Sequence, residues 1–214
     1  EVGICLKTSF EWRHKILAAI RALEGGISFS GIVEADELLM KYSEKGRKFK
    51  NKEEYRRAKR KKHPKVAVLV VTDREGNLLF KHVGEKKVKN EQLREELMSR
   101  LSENNLICVK PKKEFRKGVK GLQSKKVIVN KRQIKRGIYS VKIVENKISD
   151  FKTWLSRFHG VATKYLQSYL MWFVIMNKYL KELIDPDIGR LLNLSSHDRW
   201  AWDKYREIVS QRYD

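Results

Sequence analysis

Hydrophobic positions along this chain change their period several times, and each change marks an element. Phe10, Ile16, Leu17, Ile20 and Leu23 fall near one helical face. Thr8 is the expected N-cap of that helix and Gly25–Gly26 its stop. Ser28–Met40 alternates as a strand, with Val33, Ala35 and Leu38 set around Glu34, Asp36 and Glu37. Val66–Thr72 is a continuous apolar run, the pattern of a strand buried on both faces. Asp73–Asn77 carries turn residues and Leu78–Val83 returns, so the two runs predict a hairpin. Asn90–Leu101 places Leu93, Leu97 and Leu101 on one helical face, and Leu106–Val109 predicts a short buried strand. Phe151–Phe173 predicts a helix, a break at Gly160 and a second, strongly apolar helix. Ile184–Asp187 is a further break, and Ser195–Tyr213 predicts a terminal helix capped by Ser195 or Ser196. The order of these elements is that of a mixed α/β domain.

Charge changes this picture more than length does. The 214 residues carry a formal net charge of +22, while 41% hydrophobic residues suffice for a packed core. A folded chain this positive, with a sequence pI near 10.0, calls for a polyanionic partner, nucleic acid before membrane. The longest apolar run, Tyr169–Met176, is too short to span a bilayer. The two cysteines, Cys5 and Cys108, lie far apart and form no zinc-ligand pair, which fits a reducing compartment. The expected location is therefore cytoplasmic and nucleoid-associated, or nuclear in a eukaryotic host. The chain starts at Glu1 and not at Met, which leaves open a fragment of a longer protein.

The positive charge is segmented. Lys41–Lys65 is a basic insertion that includes Arg56, Arg57, Arg60 and Lys61. Lys110–Lys142 is the second, with Lys110, Lys112, Lys113, Arg116, Lys131 and Arg132 among its cations. Charge this dense repels itself unless phosphates neutralise it, so both segments are expected to track a nucleic-acid backbone. The first helix would turn Lys7, Arg13, His14 and Lys15 outwards, as a recognition helix does. Arg157 and Lys164 add to the same set.

The string RFHGVATKYLQSYL, residues 157–170, closely resembles the C-terminal signature of bacterial insertion-sequence transposases of the ISXO-like family. Over about residues 1–176 the resemblance implies an RNase H-like (DDE transposase/integrase) core that cuts and joins DNA with two metal ions, Mg²⁺ in an active member. The N-terminal helix would come from a helix-turn-helix-like segment, and helices would extend the C-terminus. Implied domains are 1–26, the end of a DNA-binding segment; 27–176, the catalytic-type domain; and 177–214, a helical extension. Asp36 matches the family's first acid and Glu145 its third, which makes these two the candidate metal ligands. Lys152 matches the lysine that follows the last acid and would contact DNA near the cut phosphate. Asp73 matches a structural position.

The resemblance departs from its pattern at the second acid. There the sequence has Val109-Lys110-Pro111, with Phe115 at the family's aromatic position. A charged lysine cannot ligate Mg²⁺. Glu114, about one helical turn on, is the nearest substitute. The family's upstream zinc ribbon has no counterpart here, so no zinc is expected. Three functions remain open at this stage: a DNA-binding protein derived from a transposase that has lost cleavage; an active Mg²⁺-dependent transposase; and an RNA-binding ribonucleoprotein subunit. Double-stranded DNA is the first expected partner, with a homodimer or protein contact through the C-terminal helix as a second.

Overall fold

The computed structural model describes residues 3–130, 135–136, 138–179, 203, 206–208 and 210. A first helix, α1 (Leu6–Ile20), runs into a 3₁₀ turn at Arg21–Gly26. Then follow β1 (Ile32–Met40), α2 (Lys52–Arg60), β2 (Val66–Asp73), β3 (Leu78–Glu85), α3 (Asn90–Met98), β4 (Leu106–Val109), α4 (Lys113–Lys120) and β5 (Lys125–Ile128). A two-residue ladder, β6 (Lys135–Arg136) with β7 (Tyr139–Ser140), leads to α5 (Lys142–Ser156) and α6 (Leu166–Tyr179).

The five main strands lie in the order β3-β2-β1-β4-β5. β1 pairs antiparallel with β2 and parallel with β4, and β4 pairs parallel with β5. With helices on both faces this is the RNase H-like topology expected from the resemblance. The strand periodicity accounts for the two cores. Val66, Val68 and Val70 of β2 point to one face, where Phe80, Val144, Phe151, Leu170 and Phe173 meet them. Ala67, Leu69 and Val71 point to the other, onto Leu93, Leu97, Phe115 and Val119 of α3 and α4. A strand covered on both sides has no position left for a polar residue, which is why its sequence runs apolar without a break.

Within 151–173, Phe151, Trp154, Tyr169 and Phe173 are buried in the core. Phe80, Phe151, Trp154 and Phe173 pack with ring centroids 5.0–6.0 Å apart. Tilted and edge-on pairs of this kind contribute about 0.5–1.5 kcal/mol each beyond simple burial. On the opposite face, α4 crosses α3 at Gly118, where any Cβ would collide with Leu93.

Three sequence expectations shift. α1 begins at Leu6, so Cys5 and not Thr8 occupies the N-cap; the Thr8 hydroxyl instead lies 3.2 Å from Cys5 Sγ. β1 begins at Ile32, because Asn105 and Arg100 hold the preceding residues through the Phe29 and Ile27 carbonyls. α3 ends at Met98, ahead of Leu101. Of the expected terminal helix over 195–213, residues 203, 206–208 and 210 are described and helical, while the rest of it lies outside the described residues, as do Lys131 and Arg132.

Candidate functional site

The site forms where β1 and β4 end side by side. Their parallel register pairs Glu34 with Cys108 and Ala35 with Val109. One step further places Asp36 beside Lys110. Side-chain alternation turns Glu34, Asp36, Cys108 and Lys110 to the face that α5 covers. Glu34 anchors that helix. Its Oε2 accepts hydrogen bonds from the backbone N–H groups of Ile143 (2.8 Å) and Val144 (3.1 Å), and its Oε1 from the Ser140 hydroxyl (2.9 Å). A buried carboxylate thus serves amides at the start of α5 that have no partner within the helix, where the helix dipole favours negative charge. Burial pushes the Glu34 carboxyl above the usual carboxylate range, and the three hydrogen bonds oppose that rise.

Pinning α5 in this way sets Glu145, in its first turn, above the strand ends. The Lys110 ammonium then lies 2.5 Å from Asp36 Oδ2 and 2.6 Å from Glu145 Oε1. Lys112 adds a second cation, 3.1 Å from Asp36 Oδ1 and 2.8 Å from Glu37 Oε1. Burial works to lower the pKa of Lys110, but its hydrogen bonds to Asp36 and Glu145 raise it overall, so its charge is secure. Asp36 is 3% exposed, and its two oxygens are both taken by lysines.

The donor set does not suit a pair of divalent ions. Asp36 and Glu145 converge, but on an ammonium. Glu34 is committed to α5 and Ser140, and Glu37 to Lys112 and the Val88 N–H. Glu114, the substitute acid that the resemblance suggested, is held in an ion pair with Lys87. Among the described residues no three His, Cys, Asp or Glu side chains group as a metal cage. A divalent ion held about 4 Å from the Lys110 ammonium would meet roughly 8 kcal/mol of repulsion at an effective dielectric of 20.

The other candidate residues divide by surface. Arg56, Arg57, Arg60 and Lys61 are exposed on or next to α2, a helix with no buried residue. Lys7, Lys113, Arg116, Lys152 and Arg157 are exposed as well, and Arg13, Lys15 and Lys164 are partly so. Lys110 and Lys112 correct the expectation of free ammonium groups at the end of β4, since carboxylates hold both. His14 is a second correction. It is buried, with its ring 4.2 Å from Phe10 and 4.1 Å from Tyr165, because the face of α1 that carries it packs on α6. Asp73 is structural, as expected: it accepts from Ser30, Glu75 and Asn77 and closes the β2–β3 turn.

Glu34 was not among the candidate site residues, although it lies two positions before Asp36. Period-two spacing put the two acids on one face, and that was the signal available. What sequence could not supply was the helix end that Glu34 holds.

A family profile described as the ISXO2-like transposase domain matches residues 28–175. No curated protein matches. Among solved structures, the crystal structure of a pre-cleavage Mos1 transpososome aligns with a TM-score of 0.37 and 11% identity, over 99% of this chain and 65% of that one. The chain therefore spans about 65% of the length of that protein.

Proposed function

The chain belongs to the family of ISXO2-like transposase domains, and from that premise we propose that it is a DNA-binding, transposase-derived protein that no longer cleaves DNA. One observation carries the loss of cleavage: the Lys110 ammonium between the Asp36 and Glu145 carboxylates. Two-metal phosphoryl transfer needs cations that stabilise the attacking and leaving oxygens, held by carboxylates that stay free to ligate them. Here Asp36 and Glu145 neutralise a lysine of the chain itself. The ammonium satisfies the acids electrostatically, yet it offers no open coordination position and activates no water.

DNA binding draws its support from charge and exposure. The net charge is +22, and the exposed cations of α2 sit on a helix that buries no residue of its own. Arg56, Arg57, Arg60 and Lys61 meet phosphates in this reading, while Lys113, Arg116, Lys152 and Arg157 extend the track around α4 and α5. Such contacts position a duplex and carry no sequence information. The protein would then bind, cap or occlude DNA.

Incubation with supercoiled and end-containing DNA, in Mg²⁺ and separately in Mn²⁺, tests the proposal. The expected result is a retarded complex with no nicked product. Nicking that disappears in Asp36→Ala would overturn the loss of cleavage. Tighter binding to duplex RNA than to duplex DNA would overturn the choice of DNA.

A further inference from the structure

Away from Asp36 and Lys110, a cavity of about 420 Å³ opens between α1, the turn after α5 and the loop after β1. Phe10, Phe158, Tyr165 and Tyr169 supply aromatic walls, and Arg13, Lys45 and Lys164 the charge; no lining residue is acidic. Cations and rings alternate. Arg13 Cζ lies 5.6 Å from the Phe10 ring centroid and Lys164 Nζ 5.2 Å from that of Tyr165.

The walls are fixed in advance. Ser43 and Thr163 exchange two hydrogen bonds, Thr163 N to Ser43 O at 2.8 Å and Ser43 N to Thr163 Oγ1 at 2.9 Å. The Lys45 ammonium donates to the carbonyls of Phe158, His159 and Gly160 at 2.9–3.0 Å. It thereby holds a turn in which His159 and Gly160 both have positive φ. Arg13, Lys45 and Lys164, with no acidic residue beside them in the lining, make the cavity electropositive.

We propose that this cavity binds one unstacked nucleotide, with the base against the Tyr165 and Phe158 rings and the phosphate between Arg13 and Lys164. Aromatic faces recognise any base by stacking, and a cation pair recognises the phosphate attached to it. The volume lies within the roughly 300–1,000 Å³ of small-ligand sites, and it admits one nucleotide without a paired partner. The ring-and-cation chemistry is shared by a nucleotide of a DNA strand and a free mononucleotide. The first source is favoured because Lys45 and Gly46 of the lining belong to the basic insertion 41–65, and it rests on the DNA-binding reading above.

The test compares a blunt duplex with one that carries a single unpaired 2-aminopurine nucleotide at its end, and separately titrates adenosine monophosphate. The expected result is binding tighter than to the blunt duplex by roughly fivefold to a hundredfold, the range of one stacked base, with the 2-aminopurine emission quenched. The preference should vanish in the Arg13→Gln/Lys164→Gln double variant and the quenching in Tyr165→Leu, with thermal melting as the check on folding. A preference that survives in the double variant overturns the assignment. So does binding of the blunt duplex with neither preference nor monophosphate binding, a result that leaves the DNA-binding reading intact. Monophosphate binding without any DNA binding keeps the cavity's chemistry, assigns it to a free nucleotide and overturns the function proposed above.

Discussion

Asp36 and Lys110 are neighbours across two parallel strands, and the Lys110 ammonium lies 2.5 Å from Asp36 Oδ2. Their closeness follows from the β1–β4 register and the alternation of side chains, so any residue at position 110 would face Asp36. The identity of that residue therefore decides the chemistry of the site.

Replacement of Lys110 separates its structural role from its electrostatic one. Lys110→Met removes the cation between Asp36 and Glu145 and leaves Asp36 only its Lys112 partner; it is expected to cost roughly 1–3 kcal/mol, the usual result of leaving a buried charged partner under-satisfied. Lys110→Asp adds a third carboxylate. Its melting temperature is expected to rise with millimolar Mn²⁺, through linkage to ligand binding, while that of the unaltered protein stays flat. Equal Mn²⁺ responses in the two proteins would contradict the site described here. Differential scanning calorimetry reads both effects.

Glu34 provides a test of how α5 is held. Glu34→Ala strands the Ile143 and Val144 N–H groups and opens a cavity under the helix, for an expected loss of about 2–4 kcal/mol. Glu34→Gln keeps an acceptor for those amides and a donor for the Ser140 oxygen. The folded-state pKa of Glu34 is raised, so its ionisation opposes folding as pH climbs past the unfolded value. Glu34→Gln removes that penalty and is expected to be at least as stable as the parent at neutral pH. Urea melts at pH 5 and pH 7.5 measure both variants.

His14 predicts an acid sensitivity. Its folded pKa is lowered to about 4, by burial first and then by Arg13 and Lys164. Tyr165, Tyr169 and Phe10 complete its surroundings and hold no negative charge near it. A depressed histidine contributes stability that is present above its unfolded pKa near 6.5 and is lost as pH falls towards 4. The size is up to about 3 kcal/mol, at 1.36 kcal/mol per pKa unit. Relative to the unaltered protein, His14→Gln should show a flatter dependence of stability on pH between 6.5 and 4. Identical slopes would place the acid sensitivity elsewhere.

The exposed cations of α2 predict a salt effect. Charge reversal at Arg56, Arg57, Arg60 and Lys61 should weaken duplex binding for all sequences alike. It should also reduce the slope of log K against log salt by about 0.9 for each phosphate the variant no longer neutralises. Fluorescence anisotropy from 50 to 200 mM salt gives that slope. An unchanged slope would move the phosphate track off this helix.

Much of this protein was legible in the order of its residues. The all-apolar run of β2, the hairpin to β3 and the leucine spacing of α3 are local patterns, and local patterns survive without knowledge of their partners. The family signature and the lysine at position 110 were legible for the same reason. The pairing of charges was not. Lys112, counted with the phosphate-facing cations, is held by Asp36 and Glu37, residues more than seventy positions away. His14 looked like part of a basic helix face until α6 covered it, because hydrophobic period shows which side of a helix is apolar but not how wide a partner it meets. Glu34 became an anchor only when the first turn of α5 arrived over it. Sequence by itself determined many of the elements, the basic character and the presence of a lysine at position 110. The tertiary structure alone decided what each buried charge faces, because an ion pair or an anchored helix end depends on distances of about 3 Å between segments whose separation along the chain carries no record of it.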